Sequence, residues 1–498
     1  MAETRNKKFF AGHRDGKRPL KSDPLKGAKD RYDVVVIGSG LGGMTAANIL
    51  ARNGHSVCVL EQHYNYGGLA TWFKRRGGHV FDISLHGFPF GMKKTCRKYW
   101  GQSVADKIVQ LDGVRFDNPQ FSFDTEFTRE CFTNKLVNEL GCDRKVVEGF
   151  YDDLRRMNYY DQDERTAGEL FEAYFPGRND VHRLLMEPIS YANGSGLDDP
   201  AISYGIVFSN FMSKGVYTFT GGTDGLIKDM RSILAANGVD MFSRTHVDEI
   251  LVENGRTTGV RVGERVINAD IVLSNASIKA TAESMVGEQH FDKDWIEGLR
   301  KVRLNTSSCQ VYMGLKEGAT LPWVSDLFFT SSRPTFDSHA LCDLHGESRT
   351  FSFYYPKGRP ADQEAGKPDR YVIVSSTNAL FEDWAKMTPE EYEKNKKRME
   401  EETVADIERR VPGTAAKIEH VEASTPLSFR FYTDSPQGTS FGTKFEGLPY
   451  SMGLSEQVEG LYHAGSVGII MSGWLGAANY GVITANKVDA KLAALTRA

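Results

Sequence analysis

The stretch from residue 32 to residue 61 constrains the fold of this chain more than any other. A short β-branched run, residues 32–37 (YDVVVI), precedes the glycine-rich string 38–43 (GSGLGG). The segment MTAANILARNG follows, with the small residues Ala46 and Ala47 and with Gly54 at its end. A second apolar run, residues 56–60, ends in Glu61. This order predicts a buried parallel strand, a tight turn, a helix and a second parallel strand.

The three glycines of the turn fit the spacing GxGxxG, in which each has its own task. Gly38 permits the tight turn, Gly40 lets the backbone approach a pyrophosphate, and Gly43 lets the helix pack closely on the strand. The helix that follows the glycines directs free N–H groups towards phosphates. Glu61 follows Gly43 at the distance at which a carboxylate can accept hydrogen bonds from ribose hydroxyls. The segment therefore predicts dinucleotide binding.

Composition and charge exclude several other classes of protein. The 498 residues carry a net charge of −4, which is not typical of a general nucleic-acid binder. No apolar run reaches the ~18 residues of a membrane-spanning helix. The six cysteines are scattered without a CxxC pair, and the histidines lack metal-binding spacing. We therefore expect reduced thiols, no metal site and a cytoplasmic location.

Residues 1–30 form a basic arm without the apolar core of a signal peptide. They hold nine Lys and Arg against four Asp and Glu. The arm is either solvated, or it contacts anionic lipid headgroups or a partner subunit. A peripheral membrane location is therefore an alternative to a purely cytoplasmic one.

Glycines elsewhere in the chain indicate which dinucleotide binds. Gly67 and Gly68 follow the Glu61 strand, and residues 460–465 (GLYHAG) predict a late strand. Gly473 and Gly476 then open a last helix, whose N-terminus can face the electron-rich pyrimidine end of a flavin. A cofactor contacted by both ends of the chain is long, which favours FAD.

Taken in order, these motifs resemble the FAD-dependent phytoene desaturase superfamily. They are GSGLGG, LEQH and FD near the start, GGTDGL, THVDEI and ADIVLSNA in the middle, and GLYHAG near the end. LEQH and the late string PLSFRFYT resemble its carotenoid isomerase and retinol saturase branch most. The resemblance implies an α/β fold, with a Rossmann-type FAD-binding domain of the glutathione-reductase-like flavoprotein kind and an interleaved α+β substrate domain. The FAD domain would comprise residues 31–105, 215–285 and 425–498, and the substrate domain 106–214 and 286–424.

The resemblance also implies which residues bind FAD. The backbone of Val247 would lie against the adenine, and Gly465 and Ser466 would approach the ribityl-phosphate. The whole set is Gly38, Gly40, Leu41, Gly43, Glu61, Gln62, Gly67, Gly68, Leu69, Val247, Asn275, Gly465, Ser466, Gly473 and Gly476. The chain departs from the family at Leu69, Ser466 and Ser84, where Arg, Asp and Gly are usual.

The function implied is that of an enzyme, an FAD-dependent oxidoreductase or isomerase acting on a long apolar polyene or isoprenoid. It would desaturate, saturate or isomerise a C=C or C–C bond by hydride transfer to or from flavin N5. Candidates for catalysis are His86, Tyr432 and Trp474, with structural packing as the simpler use of each. The aromatic-rich second domain could line an apolar tunnel, or its rings could be ordinary core. The alternatives are oxidation of an amine or another lipid-like substrate, and a non-catalytic subunit that binds flavin or an apolar ligand.

Overall fold

The computed structural model describes residues 23–84, 87–157, 164–354, 370–468 and 471–495. Two large sheets, two small sheets and the helices around them make up this part of the chain. Most of the basic arm, residues 1–22, lies outside the described residues, as does the candidate His86.

The first large sheet brings together strands from three distant parts of the chain. Its central strand β1 pairs in parallel with β2 on one side and with β13 on the other. Outer strands extend it in the order β10-β2-β1-β13-β12-β11, and β19 pairs in parallel with the end of β13. The strands are β1 (Arg31–Ile37), β2 (Val57–Glu61), β10 (Asp240–Ser243), β11 (Glu249–Glu253), β12 (Arg256–Val262), β13 (Arg265–Ser274) and β19 (Leu461–His463).

The predicted strand, turn, helix and strand are present as β1, helix α1 (Leu41–Arg52) and β2. The β1 strand is buried over most of its length because Val and Ile cover both of its faces. Asn254 and Gly255, a dipeptide typical of tight hairpin turns, join β11 to β12, and both residues have positive φ, at 51° and 77°. This conformation closes a tight hairpin between antiparallel strands.

The second large sheet has the order β18-β14-β17-β16-β15-β7-β8. Its pairs are antiparallel except for β15 with β7. The strands are β7 (Val114–Asn118), β8 (Phe121–Thr125), β14 (Ser307–Leu315), β15 (Leu327–Ser331), β16 (Ser348–Tyr354), β17 (Val372–Ala379) and β18 (Ile418–Ser424). The small sheets are β3 (Trp72–Lys74) with β4 (Val80–Asp82), and β5 (Phe88–Pro89), β9 (Val216–Phe219) and β6 (Ile108–Gln110).

Fifteen further α-helices surround the sheets in the described part of the chain. In order they are α2 (Gly91–Tyr99), α3 (Gln102–Asp106), α4 (Arg129–Asn134), α5 (Arg144–Arg156), α6 (Ala167–Tyr174), α7 (Asn179–Asn193), α8 (Ala201–Lys214), α9 (Gly222–Ala236), α10 (Lys293–Lys301), α11 (Phe381–Ala385), α12 (Pro389–Arg410), α13 (Pro426–Thr433), α14 (Leu448–Met452), α15 (Leu454–Gln457) and α16 (Gly473–Leu495). Within these described residues, no helix is both long enough and apolar enough to cross a bilayer.

The two faces of the second sheet have different neighbours. Alternate residues of β14, among them Val311 and Met313, share a buried apolar cluster with Ile407 of α12. Most of the aromatic residues of this region pack in such clusters, for example Phe116 and Phe132 beneath helices α4 to α8. Most of these aromatic rings are therefore ordinary core residues. The opposite face of the second sheet borders a cavity.

Candidate functional site

A cavity of about 720 Å³ extends from the glycine-rich turn to the second sheet. Its lining includes most residues of the FAD-binding set predicted from the sequence. These are Gly38, Gly40, Leu41, Glu61, Gln62, Gly67, Gly68, Leu69, Val247, Asn275, Ser466, Gly473 and Gly476. The other two members of that set, Gly43 and Gly465, do not line the cavity in the structure.

The turn at Gly38 to Gly43 is held by contacts that leave no room for side chains. A Cβ atom at Gly43 would lie 2.4 Å from the carbonyl oxygen of Gly38, which is the close helix–strand packing that the spacing predicts. Helix α1 begins without a side-chain cap and without an acidic residue in its first turn. Its first N–H groups are therefore available to an anion at the cavity wall.

Asn275 fixes this turn from the other side and gives Gly40 a second task. The Asn275 amide nitrogen donates to the carbonyl oxygen of Ala464 at 2.6 Å. A Cβ atom at Gly40 would lie 2.5 Å from the Asn275 amide oxygen. The side chain thus joins the ends of β1, β13 and β19, and Gly40 is required for packing even before a phosphate is considered.

Glu61 lies at the end of β2 and is 6% exposed. Its carboxylate accepts from the backbone N–H and the hydroxyl of Ser39 at 2.9 and 2.6 Å, and from the backbone N–H of His63 at 2.8 Å. Burial raises the pKa of the carboxyl, and these hydrogen bonds oppose that shift. The carboxylate therefore holds the glycine turn at Ser39, and Glu61 also borders the cavity.

Val247 lies beside this carboxylate in a loop that runs along the end of β2. The loop is tied down where Thr245 N–H donates to the carbonyl oxygen of Glu61 at 2.8 Å. Val247 is buried and borders the cavity. Its contact with adenine, which the resemblance implies, stays a prediction.

Two neighbouring residues of the predicted FAD-binding set, Gly465 and Ser466, have different surroundings. A Cβ atom at Gly465 would lie 2.1 Å from the carbonyl oxygen of Ala276, so Gly465 serves packing, whereas Ser466 faces the cavity. Just before it, the buried His463 ring contacts Ser451 Oγ at 2.6 Å and the carbonyl oxygen of Ala276 at 2.9 Å. Burial lowers the pKa of His463 to about 4.

Two departures from the family pattern contact each other in the cavity wall. The hydroxyl of Ser84 donates to the carbonyl oxygen of Leu69 at 2.8 Å. The carbonyl oxygen of Ser84 in turn accepts from the Trp474 indole N–H at 3.2 Å. The Trp474 ring packs near Phe88 and Phe219, so this residue shapes the wall and its donor already has a partner.

Tyr432, the second catalytic candidate, lies at a different place. Its ring meets the His63 ring edge-on at 5.6 Å, two residues beyond Glu61. The structure therefore places Tyr432 beside the ribose-binding end of the proposed nucleotide site. Tyr432 and Trp474 thus lie at different places, and His86 is outside the described residues. The catalytic roles of all three candidates stay predictions.

Another motif from the sequence receives a structural explanation. The carboxylate of Asp82, from the FD string, accepts from the backbone N–H of Thr223 at 3.0 Å. Thr223 belongs to the GGTDGL string and lies in the first turn of α9. A carboxylate at a helix N-terminus stabilises the helix, so these two distant motifs form one joint beside the cavity.

Sequence reasoning missed much of the far wall of the cavity. Phe127 and Phe329 do line it, but many of its other residues come from α7, α8 and the second sheet. They include Ile189, Tyr191, Asn193, Val207, Phe211, Gln310, Ser376 and Asn378. In β14, the polar residues Ser308, Gln310 and Tyr312 alternate with less polar ones, and that alternation was a signal that could have identified this strand.

Comparisons with known proteins bear on this arrangement. A family profile described as an NAD(P)-binding Rossmann-like domain matches residues 36–102. The chain is 24% identical to the chloroplastic prolycopene isomerase of Arabidopsis thaliana, over 94% of this chain and 84% of the relative. It is 23% identical to the human all-trans-retinol 13,14-reductase (83% and 77%). It is 25% identical to a neurosporene-forming phytoene desaturase of Rhodobacter capsulatus (87% and 89%).

Solved structures agree on the fold. An oxidoreductase from Methanosarcina mazei superposes with a TM-score of 0.63 at 18% identity, covering 92% of this chain and 99% of its own. Cyclohexylamine oxidase from Brevibacterium oxydans gives 0.63 at 14% identity, with coverages of 93% and 99%. The predicted α/β fold with a Rossmann-type domain is confirmed. The predicted resemblance to the phytoene desaturase superfamily, and to its isomerase and retinol saturase branch, is confirmed by the curated relatives, all three of which are named as enzymes.

Proposed function

We propose that the protein is an FAD-dependent oxidoreductase or isomerase that acts on a C=C or C–C bond of a long apolar polyene or isoprenoid. One observation carries the proposal: a single cavity joins the glycine turn and Glu61 to a wall that includes Ile189, Phe211 and Phe329. Nucleotide and apolar ligand would then meet within one cavity. The names of the relatives, which are isomerases, a reductase and a desaturase of polyenes, support this reading.

The residues of the turn fit FAD. Open N–H groups at the start of α1 would hold the pyrophosphate, since this helix has neither a side-chain cap nor an acidic residue in its first turn. Glu61 would accept from the ribose, and the Val247 backbone would contact the adenine. We propose the predicted domain limits with this assignment, because strands from residues 31–61, 240–274 and 461–463 share the first sheet.

The bound flavin would supply hydride transfer through its N5 atom. The chain's own residues would position the substrate and exclude water. Phe127, Phe211 and Phe329 offer apolar surface to a hydrocarbon chain. Trp474, anchored on Ser84, would fix the wall at the start of α16. His86 is proposed as a proton donor from its place in the sequence, five residues after Phe81.

The identity of the cofactor is tested first, on the purified protein. A flavin absorption spectrum and release of FAD on denaturation are expected. A colourless protein that takes up no added FAD would refute the proposal, and one that takes up only NAD(P) would refute its choice of cofactor.

Incubation of the FAD-loaded protein with prolycopene, phytoene and retinol then separates the reactions. A product displaced by about two mass units has gained or lost a hydride and a proton, whereas an isomer keeps its mass and changes its retention time. The same protein stripped of FAD serves as the control without cofactor. If none of these polyenes, or others from lipid extracts, is changed by the loaded protein, the substrate class is wrong.

A further inference from the structure

Helix α2 concentrates positive charge on one of its sides. Four of its nine residues are Lys or Arg and none is acidic, although the whole chain has a net charge of −4. Lys94, Arg97 and Lys98 are exposed, and residues three and four positions apart share one side of a helix. Met92 and Cys96, on the other side, are buried in the apolar core. The helix therefore presents a positive stripe to solvent.

Two exposed cations from other helices extend this stripe. Arg52, at the end of α1, donates from Nη1 to the carbonyl oxygen of Tyr99, at the end of α2, at 3.1 Å. Lys214, at the end of α8, lies over the Phe90 ring with its Nζ 4.7 Å from the ring centroid, and Lys94 lies over the same ring at 5.6 Å. We call this surface the basic rim, and it consists of Arg52, Lys94, Arg97, Lys98 and Lys214.

The charges of the basic rim are not neutralised by the described residues. Within that part of the chain, none of the cations of the rim forms an ion pair with a carboxylate. Other basic side chains of this region are paired, Lys107 with Asp229 and Arg129 with Asp152. A group of like charges without acidic neighbours produces a positive local potential, which attracts an anionic partner.

The cavity reaches the surface beside the basic rim. Ile206, Val207 and Phe211 of α8 border the cavity and are half-buried, and Asn210 borders it and is exposed. Lys214 follows Asn210 and Phe211 by about one turn of the same helix. An apolar opening and a group of unpaired cations therefore lie next to each other.

We propose that the basic rim docks on an anionic lipid bilayer and brings the apolar opening at α8 against the hydrocarbon. An isoprenoid would then pass from the bilayer into the cavity without entering water. The proposal rests on the proposed function, for which it identifies the source of the substrate.

Both parts of this surface suit a bilayer. Anionic headgroups attract Lys and Arg side chains, and apolar side chains beside them gain by entering the boundary between headgroups and acyl chains. An acidic protein would match only the charges, since it offers no hydrocarbon to Ile206, Val207 and Phe211. The basic rim belongs to the described fold, so it is a contact separate from the arm at residues 1–30.

Vesicle binding by charge variants tests the basic rim. The FAD-loaded full-length protein is co-sedimented with phosphatidylcholine vesicles that contain or lack phosphatidylserine. Lys94→Gln combined with Lys98→Gln should bind the anionic vesicles about thirtyfold more weakly, since each lysine near such a surface contributes a factor of about five in affinity. Lys94→Glu combined with Lys98→Glu should weaken binding further. Both lysines are exposed, so thermal unfolding of the variants should match that of the unaltered protein.

Lys293→Gln combined with Lys301→Gln is the matched control. Both of these lysines are exposed at the ends of α10 and form no ion pair among the described residues, and their replacement removes the same charge. This variant should bind vesicles like the unaltered protein. Unchanged binding in the Lys94 and Lys98 variants, or no preference of the unaltered protein for anionic vesicles, overturns the proposal. If the protein ignores vesicles and a poly-glutamate resin retains it through Lys94 and Lys98, the partner is an acidic protein and the bilayer is wrong.

Turnover distinguishes failure of the docking surface from failure of the proposed function. With a polyene dissolved in detergent, the Lys94 and Lys98 variants should react at the rate of the unaltered protein, whereas with the polyene in anionic vesicles they should react more slowly. Turnover without binding through the basic rim overturns only the docking. Binding through the rim without turnover of any polyene, even from detergent, overturns the proposed function and with it the passage of substrate from the bilayer.

Discussion

Replacing Gly43 by alanine tests the packing of the glycine turn quantitatively. The new Cβ would lie 2.4 Å from the carbonyl oxygen of Gly38, whereas ordinary contacts begin at 3.4 Å. Helix α1 would have to move by about 1 Å to relieve the overlap. It cannot move freely, because on its other side a Cβ atom at Gly481 of α16 would lie only 2.3 Å from the Gly42 oxygen. We therefore expect a loss of about 1–3 kcal/mol of stability.

The same displacement of α1 should weaken the binding of the proposed cofactor, FAD. An N–H group carried about 1 Å from its phosphate oxygen exceeds hydrogen-bonding distance. Each bond to a charged group contributes about 1.5–3 kcal/mol, so FAD should bind roughly ten- to a hundredfold more weakly. Thermal unfolding of the apoprotein measures the first effect, and FAD titration measures the second.

Gly149→Ala is the control for this experiment. Gly149 is also inside a helix, α5, but the nearest atom to its new Cβ would lie 3.6 Å away. Because alanine favours a helix over glycine, this variant should gain about 0.5–1 kcal/mol and keep its FAD affinity. Wild-type stability and wild-type FAD affinity in Gly43→Ala would refute the reasoning.

Four other changes have defined outcomes. Gly40→Ala should destabilise the apoprotein, and Asn275→Ala in the same chain should recover part of that loss without restoring FAD binding; additive losses in the double variant would show that the two residues do not clash. Trp474→Phe should keep FAD and cost about 1–2 kcal/mol, because the Ser84 oxygen loses its donor, and loss of turnover at unchanged stability would instead support catalysis by Trp474. His463 has a pKa lowered to about 4, so it stays neutral in the fold while the unfolded chain takes up a proton below about 6.5; stability should therefore fall by about 3 kcal/mol as the pH drops through this window, and His463→Gln should lack that part of the slope in melting experiments from pH 7 to 4. Deletion of residues 2–22 should reduce co-sedimentation with anionic vesicles but not with neutral ones, and unchanged sedimentation would remove the membrane role of the arm.

The sequence predicted the parts of the fold that depend on nearby residues. The turn at Asn254 and Gly255 adopts positive φ at both positions. Helix α12 begins with a capping box, in which the side chains of Thr388 and Glu391 each accept from the other's backbone N–H. Such signals are local, because both partners lie within four residues of each other.

The contacts that complete the site could not be predicted in this way. Asn275 meets Gly40 from 235 positions further along the chain, and Gly465 is required by the carbonyl oxygen of Ala276. Neither contact leaves a periodic trace in the sequence, since each depends on how β13 and β19 pair. The polar side chains on either side of Gln310 in β14 did leave an alternating pattern in the sequence. Which face of the second sheet meets the cavity, however, depends on the position of α12.

Because β1 pairs with β13, and β13 with β19, the first sheet cannot be completed until most of the chain has been synthesised. The strand Arg31–Ile37 leaves the ribosome first, yet its sheet is completed only by Leu461–His463. At about 5–20 residues per second, roughly 20–90 s of translation separate the two. Until β13 (Arg265–Ser274) has been made, roughly 12–47 s of that time, the edge of β1 that β13 will cover, with its Val and Ile side chains, has no native partner. Chaperone supply and translation speed are therefore expected to limit the yield of this protein, and a chain truncated before β19 should accumulate as aggregate.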